Sequence, residues 1–443
     1  MLRTSPVSPA QGPATGPDTA AAPFTLSVFR GTALYVGALL GPGLLLLPGL
    51  ADREAGPASI LAWAGLLGVS ALLAVVFAAL GRAHPDAHGV AGYTAAGLGP
   101  AAGRAVSWCF LAGVICGAPV VCLIGAGYVT GVTGGGLPGR CAAGAALLLI
   151  AALLALGGVR ASTTAQLVLV ALLVVIIGVA VAGSAPAARA GHWVPFAPHG
   201  WSAIGRAAAT LMLSFVGWEA VAPLTARFRD PGRQLPRVIG AAFGVTTVIY
   251  LALAVTTIAV LGPAAATDVP LASLLVRAAG EAGRVAAAVA AVVLTLGAVN
   301  AYVSGAAALA RALARGDRAA DEPGTVARPG AAGRPGTGTR LFPAAIAVAG
   351  LVLIGLYAAG LVGTAQLIGL PTTLFLVVYL GCTVSAARTL RGRARGAAVV
   401  SVAAVLTVLA FCGWPLAVAG SVAAAGLRCG RRKCGSRSRH PGG

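Results

Sequence analysis

Apolar stretches long enough to cross a lipid bilayer recur along almost the whole chain. Each runs for about 20 residues, the length that a helix needs to span a hydrocarbon core of roughly 30 Å. The pattern predicts an all-α integral membrane protein with about twelve transmembrane helices. These spans are Val28–Leu50, Ala58–Leu80, Arg104–Gly131, Cys141–Gly157, Thr163–Gly183, Ala203–Ala226, Val238–Leu261, Val285–Leu313, Leu341–Gly360, Ala365–Ala387, Ala397–Phe411 and Trp414–Leu427. Only Cys412 and Gly413 separate the last two, so eleven spans and a tail are an alternative.

The composition agrees with a protein whose surface mostly faces lipid. Charged residues make up 9% of the 443 residues and hydrophobic residues 58%. A soluble domain carries about 25% charged residues, because it needs them to cover its surface. The composition therefore excludes a soluble enzyme.

The net charge of +20 comes from 31 basic residues that are distributed unevenly between alternate loops. If the N-terminus is cytoplasmic, most of them fall on the cytoplasmic side, with clusters at 227–237, 311–340, 388–395 and 428–439. Such an excess marks the cytoplasmic side of a membrane protein and attracts anionic lipid head groups. We predict a multi-pass plasma-membrane protein with both termini in the cytoplasm, the lipid bilayer as a partner, and no nucleic-acid partner.

The segments outside the spans divide the chain into three parts. Residues 1–25 lack an apolar run and predict a disordered cytoplasmic tail rather than a signal peptide. Residues 26–427 form the transmembrane domain, and residues 428–443 form a basic cytoplasmic tail. Within the domain, residues 316–340 are rich in Gly, Pro and Arg and predict a flexible cytoplasmic loop.

Only one of the 11 acidic residues, Glu219, lies inside an apolar span. An ionised carboxylate there costs on the order of 3 kcal/mol unless it has a cavity, a partner or a proton. The residue therefore indicates either a place near a substrate or proton path, or a protonated carboxyl that joins helices. All five histidines lie in loops or the tail, and the eight cysteines lack metal-site spacing. We expect no metal, no cofactor and no enzymatic activity.

Gly and Pro interrupt the first span at 40–44 (LGPGL) and Pro48, and they interrupt the sixth span at 214–219 (SFVGWE) and Pro223. Such interruptions free backbone groups, which is tolerated in a membrane only where those groups face protein, water or a ligand. A Pro kink or a close helix contact is the simpler interpretation. However, Gly43 and Gly217 are separated by almost the same number of residues as the starts of the two spans.

Breaks at matching positions of two halves are typical of inverted-repeat transporters with a mid-membrane site. The repeats are predicted at about 28–183 and 203–387, with extra helices at 397–427. Freed amides at a half-helix N-terminus bind a carboxylate, and freed carbonyls bind an ammonium. The breaks therefore favour a zwitterionic amino acid as substrate. Asn300, in span eight, is either a site-facing amide or an interhelical contact.

The chain resembles the amino acid–polyamine–organocation (APC) superfamily, and within it the bacterial exporters of neutral amino acids such as methionine and the branched-chain amino acids. The resemblance runs from about Leu26 to Arg428, leaving out residues 316–340. It rests on 40–43 (LGPG) with Pro48, 81–85 (GRAHP) before 89–91 (GVA), 215–220 (FVGWEA), and 230–231 (DP) before 235–237 (LPR).

The resemblance implies a five-plus-five inverted-repeat, LeuT-like fold with helices 1 and 6 broken and two extra C-terminal helices. It implies that the glycines of helix 1 hold the substrate carboxylate and that residues 214–217 surround the substrate ammonium. It also implies that Glu219 is the proton-coupling residue. Pro42 departs from the family pattern because it lacks an N–H. The substrate-binding residues predicted in this way are Gly41, Pro42, Gly43, Ser214, Phe215, Val216, Gly217, Trp218 and Asn300.

The sequence thus predicts a secondary active transporter that exports neutral or hydrophobic amino acids with proton coupling and alternating access. Its partners are a small amino acid, protons and the bilayer, with the oligomeric state left open. Proton-coupled import is the nearest alternative, since residues do not encode the direction of flux. A sensor or scaffold that keeps a transporter fold without transporting is the alternative from another class.

Overall fold

The computed structural model describes residues 26–41, 43–84, 89–157, 163–221, 228–321 and 337–435. The secondary structure in these ranges is helical. The α-helices are α1 (Val28–Leu39), α2 (Gly43–Ala55), α3 (Ser59–Ala83), α4 (Val90–Leu98), α5 (Pro100–Thr133), α6 (Gly136–Leu156), α7 (Thr163–Ser184), α8 (Ser202–Leu211), α9 (Trp218–Val221), α10 (Pro231–Thr256), α11 (Pro270–Asp321), α12 (Thr337–Ala358), α13 (Thr364–Thr389), α14 (Gly392–Ala410) and α15 (Pro415–Gly435).

Eight helical stretches in the described part of the chain are long and apolar enough to cross a membrane. Shorter apolar helices accompany them, among them α1 and the segment Ser202–Phe215. Large aliphatic side chains point outward, as Leu153, Val168 and Val248 are each more than half exposed. A helix satisfies its own backbone groups, which lipid cannot do. The predicted all-α membrane fold is therefore confirmed.

The first and the sixth span are both broken, as the Gly and Pro pattern predicts. In the first, α1 ends at Leu39 and α2 begins at Gly43. In the sixth, α8 passes into a tight turn of 3-10 helix over Met212–Phe215, and Val216 is extended before α9 begins. Each span is therefore two half-helices with non-helical backbone between them.

The broken helices pack together among neighbours that hold them in place. Helix α1 packs against α10 and α7, and it also contacts α9 across the second break. Helix α2 packs against α8 and touches α5. Helix α3 packs against both α10 and α8. This arrangement places the two breaks side by side.

Several boundaries differ from those expected from the sequence. Helix α11 continues to Asp321 and α12 begins at Thr337, so the predicted loop 316–340 is helical at both of its ends. Helix α15 continues to Gly435, past the tail boundary predicted at residue 428. The last apolar stretch forms two helices, α14 and α15, which favours twelve spans over eleven. The predicted N-terminal tail, 1–25, lies outside the described residues.

Helix α4 does not appear among the predicted spans. It is a nine-residue helix between the second and third spans, too short to cross a bilayer. Gly89 and Gly99 flank it with positive φ angles of 69° and 85°, a backbone conformation that glycine adopts without steric cost. The chain can therefore turn sharply into and out of this helix.

Candidate functional site

The two helix breaks contact each other through glycines. A Cβ atom on Gly217 would lie 2.6 Å from the carbonyl oxygen of Ala38 in the last turn of α1. A Cβ atom on Gly43 would lie 3.2 Å from the Oγ of Ser214. The approach at Gly217 is to backbone and requires a residue without a side chain, whereas the contact at Gly43 is to side chains and is less strict. Gly217 and Gly43 thus mark where the two predicted segments meet.

The helix ends at the breaks expose backbone groups of both kinds. Helix α2 begins at Gly43, where the first amides of a helix lack a partner within that helix. The Leu44 amide donates instead to the carbonyl oxygen of Gly41, at 3.1 Å. Helix α1 ends at Leu39, and the 3-10 turn after α8 ends at Phe215. Carbonyl groups at those ends carry the partial negative charge of a helix C-terminus. The junction therefore offers both amide donors and carbonyl acceptors.

Glu219 lies at the second break and folds back onto it. Its side chain is 3% exposed, and its Oε2 accepts a hydrogen bond of 2.9 Å from the amide of Gly217. The hydroxyl of Tyr379 in α13 donates to the same oxygen, and Tyr302 in α11 interacts with the same carboxyl group. None of the ion pairs found among the described residues involves Glu219. The carboxyl group thus has neutral hydrogen-bonding partners.

Tyr379 joins α13 to the second break. Its hydroxyl oxygen accepts a hydrogen bond of 3.1 Å from the amide of Gly217 and lies 3.3 Å from the carbonyl oxygen of Phe215. Its ring packs edge-on against Phe77 with centroids 5.8 Å apart. Tyr379 therefore orients both the Glu219 carboxyl group and the backbone next to it.

Tyr250 in α10 reaches both breaks at once. Its hydroxyl lies 2.6 Å from the carbonyl oxygen of Leu39 and 2.5 Å from that of Ser214. The ring is fully buried and makes edge contacts with Trp63 and Phe215, each at a centroid distance of 5.2 Å. Aromatic packing thus fixes the hydroxyl between the two broken helices.

The remaining predicted site residues do not take part in the contacts between the two breaks described above. Trp218 is buried and directs its Nε1 to the Oγ of Ser70 in α3, at 3.0 Å. Val216 is 6% exposed, whereas Gly41 has no atom within 4 Å of a Cβ position. Asn300 is buried in α11 and remains a predicted site residue. Pro42 lies outside the described residues.

Asp268, in the segment between α10 and α11, forms ion pairs with two arginines. Arg53 of α2 pairs with its Oδ1 at 2.9 Å, and Arg140 of α6 pairs with its Oδ2 at 2.6 Å. Burial raises the pKa of the Asp268 carboxyl, but hydrogen bonds and positive charge from the two arginines outweigh this and hold the pKa below its usual value. A cavity of about 340 Å³ opens beside Arg140 and Asp268, away from the breaks.

Two further hydrogen bonds close α2 against its neighbours. The Tyr128 hydroxyl of α5 donates to the carbonyl oxygen of Leu45 at 2.5 Å. The Thr210 hydroxyl of α8 donates to Glu54 at 2.8 Å. Together with the Asp268 pairs, these contacts hold α2, the second half of the first span, in the bundle.

Sequence reasoning missed the tyrosines and Asp268. The available signal was a hydroxyl inside an apolar span, which Tyr128, Tyr250, Tyr302 and Tyr379 share, but their partners lie far away along the chain. Within the described ranges, no group of His, Cys, Asp or Glu is arranged to hold a metal ion. The contacts found at the breaks are hydrogen bonds.

Known proteins resemble the chain over the region that contains these breaks. A family profile described as amino acid permease matches residues 26–321. The chain is 31% identical over 412 residues to an uncharacterised amino acid permease of Bacillus subtilis (strain 168), covering 91% of this chain and 94% of the relative. It is 32% identical over 218 residues to the L-methionine/branched-chain amino acid exporter of Escherichia coli (strain K12), covering 48% of this chain and 51% of the exporter. A branched-chain amino acid permease of Bacillus subtilis (strain 168) is 27% identical over 286 residues, covering 58% and 59%.

Proposed function

This chain belongs to the amino acid permease family, and we propose that it exports neutral or hydrophobic amino acids across the plasma membrane in exchange for protons. The observation that carries the proposal is the meeting of the two helix breaks at Gly43, Ser214 and Gly217. Backbone amides and carbonyls of both broken spans come together there. Such a junction suits reversible binding of a zwitterion during alternating access.

The side chains at the junction favour a substrate whose own side chain is uncharged. Phe215 and Val216 are buried there, and the Tyr250 ring packs against Phe215, so the side chains around the junction are aromatic and apolar. Burying a charged substrate side chain among such groups costs about several kcal/mol, because the charge loses its hydration and gains no partner of opposite charge. Binding a methionine or branched-chain side chain removes apolar surface from water, which is favourable and carries no such cost.

Glu219 supports the proton part of the proposal. A carboxylate that is 3% exposed and paired only with neutral donors is expensive to keep ionised, so a change of exposure shifts its proton occupancy. Its contact with the Gly217 amide ties that occupancy to the geometry of the break. Protonation of Glu219 is therefore coupled to rearrangement of the break between α8 and α9.

The likeness to the Escherichia coli L-methionine/branched-chain amino acid exporter supports the direction and the substrate class. Direction depends on the gradients as well as on the protein, so the test must impose them. Purified protein in liposomes loaded with labelled methionine, leucine, valine or glutamate should release the neutral amino acids faster when the opposite side is acidic. No movement of any of these amino acids would overturn the proposal, and accumulation with the proton gradient would favour import.

The Glu219→Gln variant should transport methionine with little dependence on pH, because the amide keeps the hydrogen-bond geometry but cannot bind the proton. The stimulation of the transport rate by an imposed pH gradient should disappear, because a side chain without a titratable proton cannot respond to the gradient. Liposome efflux at several pH values measures this. Glu281→Gln is the matched control, since Glu281 is exposed and pairs only with Arg284. An unchanged pH dependence in Glu219→Gln would remove Glu219 from the mechanism.

A further inference from the structure

The Tyr250 hydroxyl occupies the point where the two half-helix ends present their carbonyl groups. It lies 2.6 Å from Leu39 O and 2.5 Å from Ser214 O, although these residues belong to different spans. Trp63 and Phe215 clamp the ring on two sides. Moving the hydroxyl away from these two carbonyl groups would therefore require the packing of Trp63 and Phe215 to rearrange.

The number of hydrogens at this point does not match the number of acceptors. A phenol carries one hydrogen, so Tyr250 donates to either Leu39 O or Ser214 O and leaves the other facing its oxygen. The Ser214 hydroxyl, buried beside Gly43, carries a hydrogen of its own, but it reaches no hydrogen-bond partner among the described residues and so does not satisfy the second carbonyl. The junction thus has more acceptors than hydrogens, and an unmatched buried acceptor is costly.

A substrate ammonium would correct this mismatch. It carries three hydrogens and a positive charge, and both helix ends favour a cation at their carbonyls. Resting on the transport function proposed above, we propose that the Tyr250 hydroxyl stands in for the substrate ammonium in the empty carrier, as a positioning residue that keeps the two breaks together when no amino acid is bound.

This role predicts different effects on the two halves of the transport cycle. The empty carrier must return through a state in which water cannot reach the breaks, and there the Tyr250 hydroxyl is the donor that the described residues direct to these carbonyls. The loaded carrier passes the same state with the ammonium in place. Loss of the hydroxyl therefore slows the return of the empty carrier more than it slows exchange of one amino acid for another.

The test is Tyr250→Phe in liposomes, with labelled methionine moving either as net efflux or in exchange for unlabelled methionine. We expect net efflux to fall about tenfold, the factor for one unsatisfied buried acceptor, while exchange changes less than about twofold. Tyr128→Phe is the matched control, because Tyr128 also gives one buried hydroxyl to one backbone carbonyl, that of Leu45. It should leave the ratio of net efflux to exchange unchanged.

The outcomes separate this inference from the function on which it rests. If the natural protein moves no amino acid, both fail. If it does, and Tyr250→Phe lowers both modes equally or neither, the stand-in role alone is overturned. Should Tyr250→Phe be recovered folded only with methionine present, the role is supported. If Tyr250→Phe cannot be recovered folded either with or without methionine, while Tyr128→Phe can, Tyr250 is a packing residue and the proposal is contradicted.

Discussion

Single side chains in this protein organise backbone segments that are far apart along the chain. Tyr250 lies 211 positions from Leu39 in sequence, and Tyr379 lies 160 positions from Glu219, yet each places a hydroxyl on its partner. Both tyrosines are fully buried and packed against other rings. The geometry of the breaks at the residue scale is thus set from α10 and α13, outside the broken helices.

At the same scale, the two arginines on Asp268 should contribute unequally to stability. Arg140→Gln should lower the free energy of unfolding by about 1–2 kcal/mol and Arg53→Gln by about half of that, because charge-assisted bonds weaken with exposure. The side chain of Arg140 is 12% exposed and that of Arg53 is 49% exposed. Thermal unfolding in detergent measures both losses, and equal losses would contradict this ranking.

The pH dependence of these losses has a definite sign. Burial raises the pKa of Asp268, but the two arginines lower it by more than burial raises it. The pKa of Asp268 in the folded protein therefore lies below its value in the unfolded chain. The ion pairs therefore contribute fully above the unfolded pKa, and their contribution disappears as the pH falls through the lowered folded pKa. Both variants should approach the natural protein in thermal stability only in strongly acidic buffer.

Glu219 could be found from sequence because it is the one acid within an apolar span, whereas the tyrosines could not. Tyr250 has no neighbouring residue that sets it apart from a tyrosine that only packs in the core. Its importance depends on the position of α10 beside both breaks, and a single sequence does not encode that distance. The same holds for Asp268, whose partners come from α2 and α6.

At the scale of helices, the breaks follow directly from local chemistry. Gly and Pro at 40–44, and Gly217 followed by Pro223 in the sixth span, disfavour a continuous helix, so both breaks were predictable from the sequence. The short helix α4 was not, because its nine residues are less than half of a membrane span. The continuation of α11 to Asp321 was also missed, since Arg and Gly after span eight resemble a loop in composition.

Gly217→Ala should reduce methionine transport at least about tenfold. Its Cβ would lie 2.6 Å from the backbone oxygen of Ala38, so the two half-helices must move apart to admit it. Overpacking of this kind costs about 1–3 kcal/mol, and 1.4 kcal/mol corresponds to tenfold. Gly240→Ala is the control, because the Cβ position at Gly240 in α10 is open. Liposome efflux by both variants at equal protein recovery makes the comparison, and normal efflux by Gly217→Ala would contradict the close contact.

At the scale of the whole molecule, the extra C-terminal helices pack on both repeats. Helix α14 lies against α3 and α13, and α15 lies against α5 and α13. The Gly426 Cα comes so close to α5 that a Cβ on it would be 2.7 Å from the Cα of Ala105. These helices therefore belong to the membrane domain.

The distribution of basic residues predicts which ends of the helices face the cytoplasm. A cysteine introduced at Gly191, in the loop after α7, should react with a membrane-impermeant maleimide in intact cells. A cysteine introduced at Gly396, near the start of α14, should react only after permeabilisation. Both positions have open Cβ space, so the substitutions are sterically matched. The reverse labelling pattern would invert the orientation, and an unlabelled Gly191→Cys in intact cells would argue against the plasma membrane.

The neutral surroundings of Glu219 have an energetic consequence for the whole cycle. No cation from the described residues pairs with this carboxyl group, so the protonated form of this site is neutral and the unprotonated form carries a negative charge. Exchange of one proton for one zwitterion would transfer one net charge per turnover, and the step that moves the unprotonated carrier would bear it. A membrane potential of about 100 mV does about 2.3 kcal/mol of work on that charge, enough to change an equilibrium ratio about 50-fold. Such a carrier would be driven by voltage as well as by acidity, and it would continue to export when the two sides have equal pH.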